Sequence, residues 1–212
     1  MPRELPRIWI ITSPDHRAGP VAPLRRALDG RGSAEIGIQL RAKHAPDRKL
    51  IDWGRELREL TAPGGSPLVV NQRADVAQII GADGVHLPET GLPIARVRQR
   101  WPRLEMIGVS RHDRPGLVAA QQAGATYAFL SPVFQVPGKN PPIGVDGFRR
   151  AIAGLQIPVF ALGGIGPEDV SPLLEAGAHG VAVRRAVYHA EEPTVVIDGF
   201  LRRLDKSHAN VE

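Results

Sequence analysis

Short apolar runs recur along the chain, each followed by a segment whose apolar residues return every three to four positions. The runs lie at residues 7–12, 35–41, 66–71, 84–87, 106–109, 126–130, 157–161 and 180–183. Continuous apolar runs of this length suit strands buried on both faces, as in a parallel sheet. The spacing predicts helices over 21–28 (ended by Gly30 and Gly32), 46–60 (Ile51, Leu57 and Leu60 on one side) and 74–80. Further helices are predicted from Pro93, up to about Gly124, over 144–152, after Pro167 and over 197–204. Strict alternation of strand and helix implies a parallel sheet, and eight repeats predict closure into a single (β/α)8 TIM barrel. The predicted domain covers 1–205, and 206–212 reads as a flexible tail. A doubly wound open sheet is the alternative, but Thr12-Ser13-Pro14-Asp15 after the first strand is not its glycine-rich fingerprint.

Two neighbouring stretches stand out within this pattern. Val159-Phe-Ala-Leu-Gly-Gly-Ile-Gly-Pro-Glu-Asp169 takes an apolar strand into Gly163-Gly164, and Pro167 followed by acidic residues opens a helix. Gly180-Val-Ala-Val-Arg-Arg-Ala-Val187 repeats the scheme, a strand running straight into a turn. In a barrel of βα units the loops after the last two strands often hold phosphate on backbone N–H groups. Gly163, Gly164, Arg184 and Arg185 are therefore the candidate phosphate-binding residues. The plainer reading of the glycines is a tight turn.

Composition narrows the function classes. The chain has 212 residues, 42% hydrophobic and 23% charged, which are globular values. No run of apolar residues is long enough for a membrane span, and Met-Pro-Arg-Glu-Leu-Pro at the start lacks a signal-peptide core. There is no cysteine, hence no disulfide framework and no thiolate metal site. A cytoplasmic protein is expected. The net charge of +5 comes from Lys and Arg spread over presumed helix faces, and aromatic residues are only 5%. That pattern argues against nucleic acid as a partner and is compatible with a small phosphorylated ligand.

In a TIM barrel, chemistry sits at the C-terminal ends of the strands. Reading those ends gives Thr12 and Ser13, then Gln39, Arg41 and Lys43, then Asn71 and Gln72, His86, Ser110 and His112, and Ser131 with Lys139. Gln39, Arg41 and Lys43 alternate, so they share one side of an extended segment and suit an anionic ligand. His86, at the end of a buried run, reads as a packed histidine. His112, in the loop beyond the fifth strand, is the better candidate for proton transfer. The loop from Ser131 to Gly144 is the longest irregular segment, and Lys139 is its only charge. No pair of histidines has metal-ligand spacing.

A set of these motifs, in order, resembles the thiamine phosphate synthase/TenI superfamily, a TIM-barrel family. They are Gln39-Leu-Arg-x-Lys43, Val70-Asn71 with Arg73 and Asp75, Gly81-Ala-Asp-Gly-Val-His-Leu87 and Gly108-Val-Ser110 with His112. Ser131-Pro-Val-Phe134 with Lys139, Ala161-Leu-Gly-Gly-Ile165 and Ala176-Gly-Ala-x-Gly-Val-Ala-Val183 complete the set. The resemblance implies a thiazole phosphate ligand and, in synthases, an aminopyrimidine diphosphate with magnesium. It places Gln39, Arg41, Lys43 and Asn71 at the pyrimidine and diphosphate, Ser110 and Lys139 at the diphosphate, and Gly164 with the turn after Val183 at the thiazole phosphate.

Departures from the family pattern shape the functional expectation. Gln72 and Gly91 stand where the resemblance implies magnesium-binding aspartates, with Glu89 nearby but in a different register. Pro132 stands where the TenI branch carries a histidine acid/base, and Arg184-Arg185 replaces an uncharged pair. The leading expectation is accordingly a TenI-like barrel of thiamine biosynthesis that binds a thiazole phosphate. It would act as a thiazole tautomerase by general acid–base transfer through His112, with no cofactor and no metal ligands. One alternative is a thiamine phosphate synthase, a transferase that would use magnesium. The other is a non-catalytic protein that binds a phosphorylated metabolite. A homo-oligomer is compatible with each.

Overall fold

The computed structural model describes residues 4–28 and 34–206. Eight parallel strands close into a barrel in sequence order. They are β1 (Ile8–Ile11), β2 (Ile36–Leu40), β3 (Leu68–Asn71), β4 (Gly84–Leu87), β5 (Met106–Arg111), β6 (Tyr127–Leu130), β7 (Val159–Leu162) and β8 (Gly180–Val183). Helices α1 (Ala22–Leu28), α2 (Asp47–Thr61), α3 (Ala74–Ile79), α4 (Ile94–Arg100), α5 (Arg114–Gln122), α6 (Gly144–Ile152) and α7 (Val170–Glu175) alternate with them. A 3-10 turn at Pro167–Asp169 leads into α7, and α8 (Arg185–Tyr188) and α9 (Pro193–Lys206) complete the ring. This is the (β/α)8 barrel expected from the alternating runs.

Two apolar clusters hold it together. One, with Ile10, Ile38, Val70, Val85, Leu130 and Val181, fills the space between strands and helices. The other fills the barrel interior with Trp9, Ile11, Val69, Met106, Tyr127, Phe129, Phe160 and Ala182. The interior is dominated by aromatic rings, Trp9 stacking on Tyr127 with centroids 5.1 Å apart. Glycine makes the room. A Cβ on Gly37 would come within 2.5 Å of the Trp9 ring, and one on Gly108 within 2.1 Å of the Tyr127 ring. Large residues thus face residues with no side chain, which is how a barrel interior is filled without voids.

Several elements differ from the sequence expectation. In α2 the buried residues are Leu50, Gly54, Leu57 and Thr61, and the half-buried Ile51 and Leu60 pack against the same core, so the core-facing stripe is broader than the one expected. Strand β5 continues to Arg111 and takes in Ser110. The segment after β8 forms a short helix, α8, and α9 starts at Pro193, before the predicted Ile197. The predicted break at Gly30 and Gly32 lies outside the described residues, as does the predicted tail beyond Lys206.

Candidate functional site

The C-terminal ends of the strands carry a layer of polar residues directly above the aromatic interior. Gln39 on β2 is 2% exposed, and its Nε2 donates to Asn71 Oδ1 on β3 over 3.1 Å. Its Oε1 is buried without a hydrogen-bond partner. A buried acceptor left unpaired costs free energy, about 1–3 kcal/mol, unless something donates to it. His86 on β4 lies with Nε2 2.9 Å from Ser110 Oγ and Nδ1 3.3 Å from the Tyr127 hydroxyl. Its ring also packs on Phe129, centroids 4.2 Å apart. Burial, then the charges of Arg111 and Arg41, lower its pKa from 6.5 to about 3. The imidazole is therefore neutral near neutral pH, and one donor and one acceptor nitrogen match its two hydroxyl neighbours. His86 has the packed, hydrogen-bonded setting expected of it, although its edge also orients Ser110.

Above this layer the mouth is cationic. The Arg41 N–H donates to Thr12 Oγ1 over 2.8 Å, which fixes the chain where β2 ends beside β1. Burial, then the neighbouring charge of Arg184, lowers the Arg41 guanidinium's pKa below its ordinary value, with Asp15 opposing. The charges of Arg41 and Lys139, together with partial burial, lower the Lys43 ammonium in the same way, Arg41 being the largest influence. Arg41, Lys43, Lys139 and Arg184 are thus electrostatic neighbours, although they come from the segment after β2, the β6–α6 loop and the end of β8. Strand β2 ends at Leu40 and Lys43 lies in a turn, so the single extended run expected through Gln39, Arg41 and Lys43 stops short of Lys43. Arg185 is half-buried as the first residue of α8. Arg73 is committed elsewhere, in ion pairs to Asp75 (2.7 Å) and Asp47 (2.6 Å) that tie α3 to α2.

The loop between β6 and α6 is pinned at its base to the end of β7. Val133 N–H donates to Leu162 O (3.0 Å) and Phe134 N–H to Gly163 O (2.9 Å), and Ile143 N–H closes the loop onto Pro132 O (3.1 Å). Gly163 and Gly164 have φ of 109° and 69°, a region that favours glycine. A Cβ on Gly164 would come within 2.9 Å of Gln135 O and of Phe134 Cβ. The close approach these glycines permit is therefore, on that side, the approach of the Lys139 loop. Pro132 is buried against Gly163, so no acid/base side chain stands at that position.

The residues do not fit a magnesium ion. Among the described residues no group of three or more carboxylate or imidazole ligands converges. Gln72 offers a neutral amide from a left-handed backbone, φ 70°, fixed by its N–H bond to His86 O (2.9 Å). Gly91 has no side chain, and a Cβ there would meet Pro88 O at 2.9 Å, so the turn has no room for a carboxylate without shifting. Glu89 is exposed in that turn.

The sequence-predicted residues divide accordingly. Gln39 and Asn71 are bonded together, as are His86 and Ser110, and Arg41, Lys43, Lys139 and Arg184 are electrostatically coupled. His112 goes elsewhere. Its Nδ1 donates to Ser131 O over 2.6 Å, and its exposed ring lines a groove of about 430 Å³ between α5 and α6 with Arg114, Ile143 and Arg150. Ser131 contributes its carbonyl to that contact. Tyr127 is a site neighbour that the strand-end reading misses, although the alternation of Tyr127 and Phe129 opposite Gly108 carries its signal.

A closed barrel of eight parallel strands with a polar, cationic rim at its strand ends is the class of fold and site that this chain presents. Residues 8–187 match the family model described as thiamine monophosphate synthase. The chain is 35% identical over 207 residues to the thiamine-phosphate synthase of Pyrococcus horikoshii, covering 96% of this chain and 97% of that one. It is 39% identical over 166 residues to the thiamine-phosphate synthase of Chloroflexus aurantiacus, covering 77% and 76%. A solved structure, thiamine phosphate pyrophosphorylase from Pyrococcus furiosus, superposes with a TM-score of 0.85 at 32% identity, covering 94% and 96%. The chain belongs to the thiamine monophosphate synthase family. These relatives support the synthase reading over the tautomerase expected from the sequence. With Pro132 buried and His112 in the lateral groove, the acid–base reading also loses its geometric basis. Among the described residues no helix is long and apolar enough to cross a membrane.

Proposed function

We propose that the chain is a thiamine-phosphate synthase that joins an aminopyrimidine diphosphate to a thiazole phosphate. The observation that carries this reading is the unpartnered, buried Gln39 Oε1 beside Asn71 at the foot of a cationic mouth. A buried acceptor waiting for an N–H donor suits the exocyclic amine of an aminopyrimidine, and the cations above it suit the diphosphate. In the proposed reaction the bond between the pyrimidine methylene carbon and the diphosphate oxygen breaks, and diphosphate leaves with the bonding pair. The thiazole nitrogen's lone pair then forms the new carbon–nitrogen bond. Arg41, Lys43 and Lys139 would stabilise charge developing on the departing oxygen, the role in which preorganised donors and charges contribute most. The turn at Gly164 would receive the thiazole phosphate. No step is assigned to a metal, because the residues present do not form a site for one.

The test is to incubate the purified protein with both substrates and follow thiamine phosphate by chromatography. Product at a rate that scales with enzyme and falls at least ~10-fold in Gln39→Met, as loss of one well-formed hydrogen bond implies, supports the reading. Binding of both substrates without product would replace it with a non-catalytic binding protein.

A further inference from the structure

We infer that a diphosphate-bearing ligand is neutralised at this mouth by side-chain cations alone, Arg184 joining Arg41, Lys43 and Lys139, so that its binding requires no divalent cation. The inference deepens the proposed synthase reading, from which it takes the diphosphate ester as the ligand.

The strand register brings Arg184 into the group. β1 pairs with β2 through Ile11 and Gln39, and with β8 through Ile10 and Val183. Arg184, one residue past Val183, therefore stands level with Gln39 on the opposite flank of Ile11. It continues the alternation of Gly180 and the interior-facing Ala182. Arg41 stands two positions past Gln39, directly after the last residue of β2. Two strand spacings, ~10 Å, separate β8 from β2. Arginine side chains reaching inward from both flanks span that distance onto one anion. The coupling of Arg41 to Arg184, and of Lys43 to Arg41 and Lys139, accords with this placement.

Charge balance explains why the metal ligands can be absent. A divalent cation and two carboxylates sum to zero, so removing all three leaves the formal charge of the site unchanged. Arg184 then adds one positive charge. A mouth already holding Arg41, Lys43 and Lys139 thereby gains a further cation, which favours the more highly charged of two phosphate ligands. The guanidinium fork also supplies directional donors for phosphate oxygens, which a carboxylate-held ion would otherwise organise. Like charges gathered at one mouth repel one another, and a polyanion relieves that repulsion.

Calorimetric titration with inorganic diphosphate tests this on the full chain, once in EDTA and once with excess magnesium. Binding in EDTA is expected, with magnesium giving no tightening. Arg184→Gln should weaken diphosphate binding by about 10- to 100-fold, the size of one charge-assisted contact. Arg184→Lys should recover part of the loss, and titration with inorganic monophosphate should show a smaller effect of Arg184→Gln. Arg202→Gln, on the exposed face of α9, controls for a change in net charge. The α8 turn rests on the Arg184 carbonyl, which both variants keep, and thermal unfolding checks that they fold. Binding that appears only with magnesium, no binding under either condition, or an Arg184→Gln variant equal to Arg202→Gln would overturn the inference. Diphosphate bound without metal in a protein that fails to couple the two substrates leaves it standing and removes the synthase reading instead.

Discussion

His86 Nε2 lies 2.9 Å from Ser110 Oγ, between adjacent strand ends, in a ring environment too buried to hold a charge. The burial of that ring, with the charges of Arg111 and Arg41 beside it, gives the stability of the barrel a predicted pH dependence. With the folded pKa depressed to about 3 against 6.5 unfolded, the unfolded chain takes up a proton that the folded one refuses. Stability is fully present above the unfolded value and falls as pH drops through the window from about 6.5 toward 3. About 2 kcal/mol should be lost between pH 7.5 and pH 5 from this residue, a tenfold change in proton affinity being worth about 1.4 kcal/mol. His179, lowered mainly by burial, acts in the same direction. Urea midpoints of the native protein and His86→Gln across that range check this. The two should converge toward low pH, and parallel curves would mean that His86 does not titrate as its surroundings require.

Gln39→Met should separate binding from stability. The substitution loses the bond to Asn71 but also removes a buried acceptor with no partner. Those effects offset, so the change in unfolding free energy should stay within about 1 kcal/mol. Affinity for an aminopyrimidine diphosphate should fall at least ~10-fold, while inorganic diphosphate, which has no amine to donate, should bind as before. Equal losses for both ligands would show that Gln39 only shapes the mouth.

The strands were legible because each is a continuous apolar run flanked by turn residues, and the barrel followed from counting them. What the sequence hid was local. Leu50 and Ile51 both reach the core, and which of them is fully buried depends on the rotation of α2, which neighbouring leucines leave ambiguous. Helix α8 covers only Arg185–Tyr188, too short for periodicity to register. Alternation placed Gln39 on the interior side of β2, but the strand ends at Leu40 and Lys43 lies in a turn, so its place beside Arg41 was not legible from alternation. The approach of Arg184 to Arg41 was not legible either, because it depends on closure of β8 against β1. Proximity in the chain also favoured His112, two residues past Ser110, yet the structure turns its ring onto the Ser131 carbonyl.

His112→Asn should therefore leave thiamine phosphate formation within about threefold of the native rate. A positioned general acid or base contributes roughly 10²–10⁴-fold, so even a minor share in proton transfer would be visible in steady-state kinetics. The ring's hydrogen bond is to a loop carbonyl in an exposed groove, where its loss costs little. A hundredfold loss of kcat with unchanged KM would return the residue to the chemistry.

The last prediction concerns the glycine turn. Gly164→Asp at first reads as a clean probe of a phosphate cradle, since it adds charge where an anion would lie. The geometry makes it a probe of packing instead. At φ 69° any Cβ is strained by ~1–2 kcal/mol, and here it also meets Gln135 O and Phe134 Cβ at 2.9 Å. Overpacking of that kind adds ~1–3 kcal/mol. Gly138, in the same loop at φ 71°, has nothing within 4 Å of its Cβ position, so alanine there carries the backbone strain alone. Gly164→Ala should thus destabilise the protein by ~1–3 kcal/mol more than Gly138→Ala, the overpacking contribution by itself. Chemical denaturation of the two variants measures the difference. Its physical content is that the Lys139 loop is clamped to the end of β7, the arrangement that brings Lys139 within electrostatic reach of Lys43. Equal destabilisation would mean the loop yields freely at that contact, and Lys139 would then lack the fixed position that the cationic mouth requires.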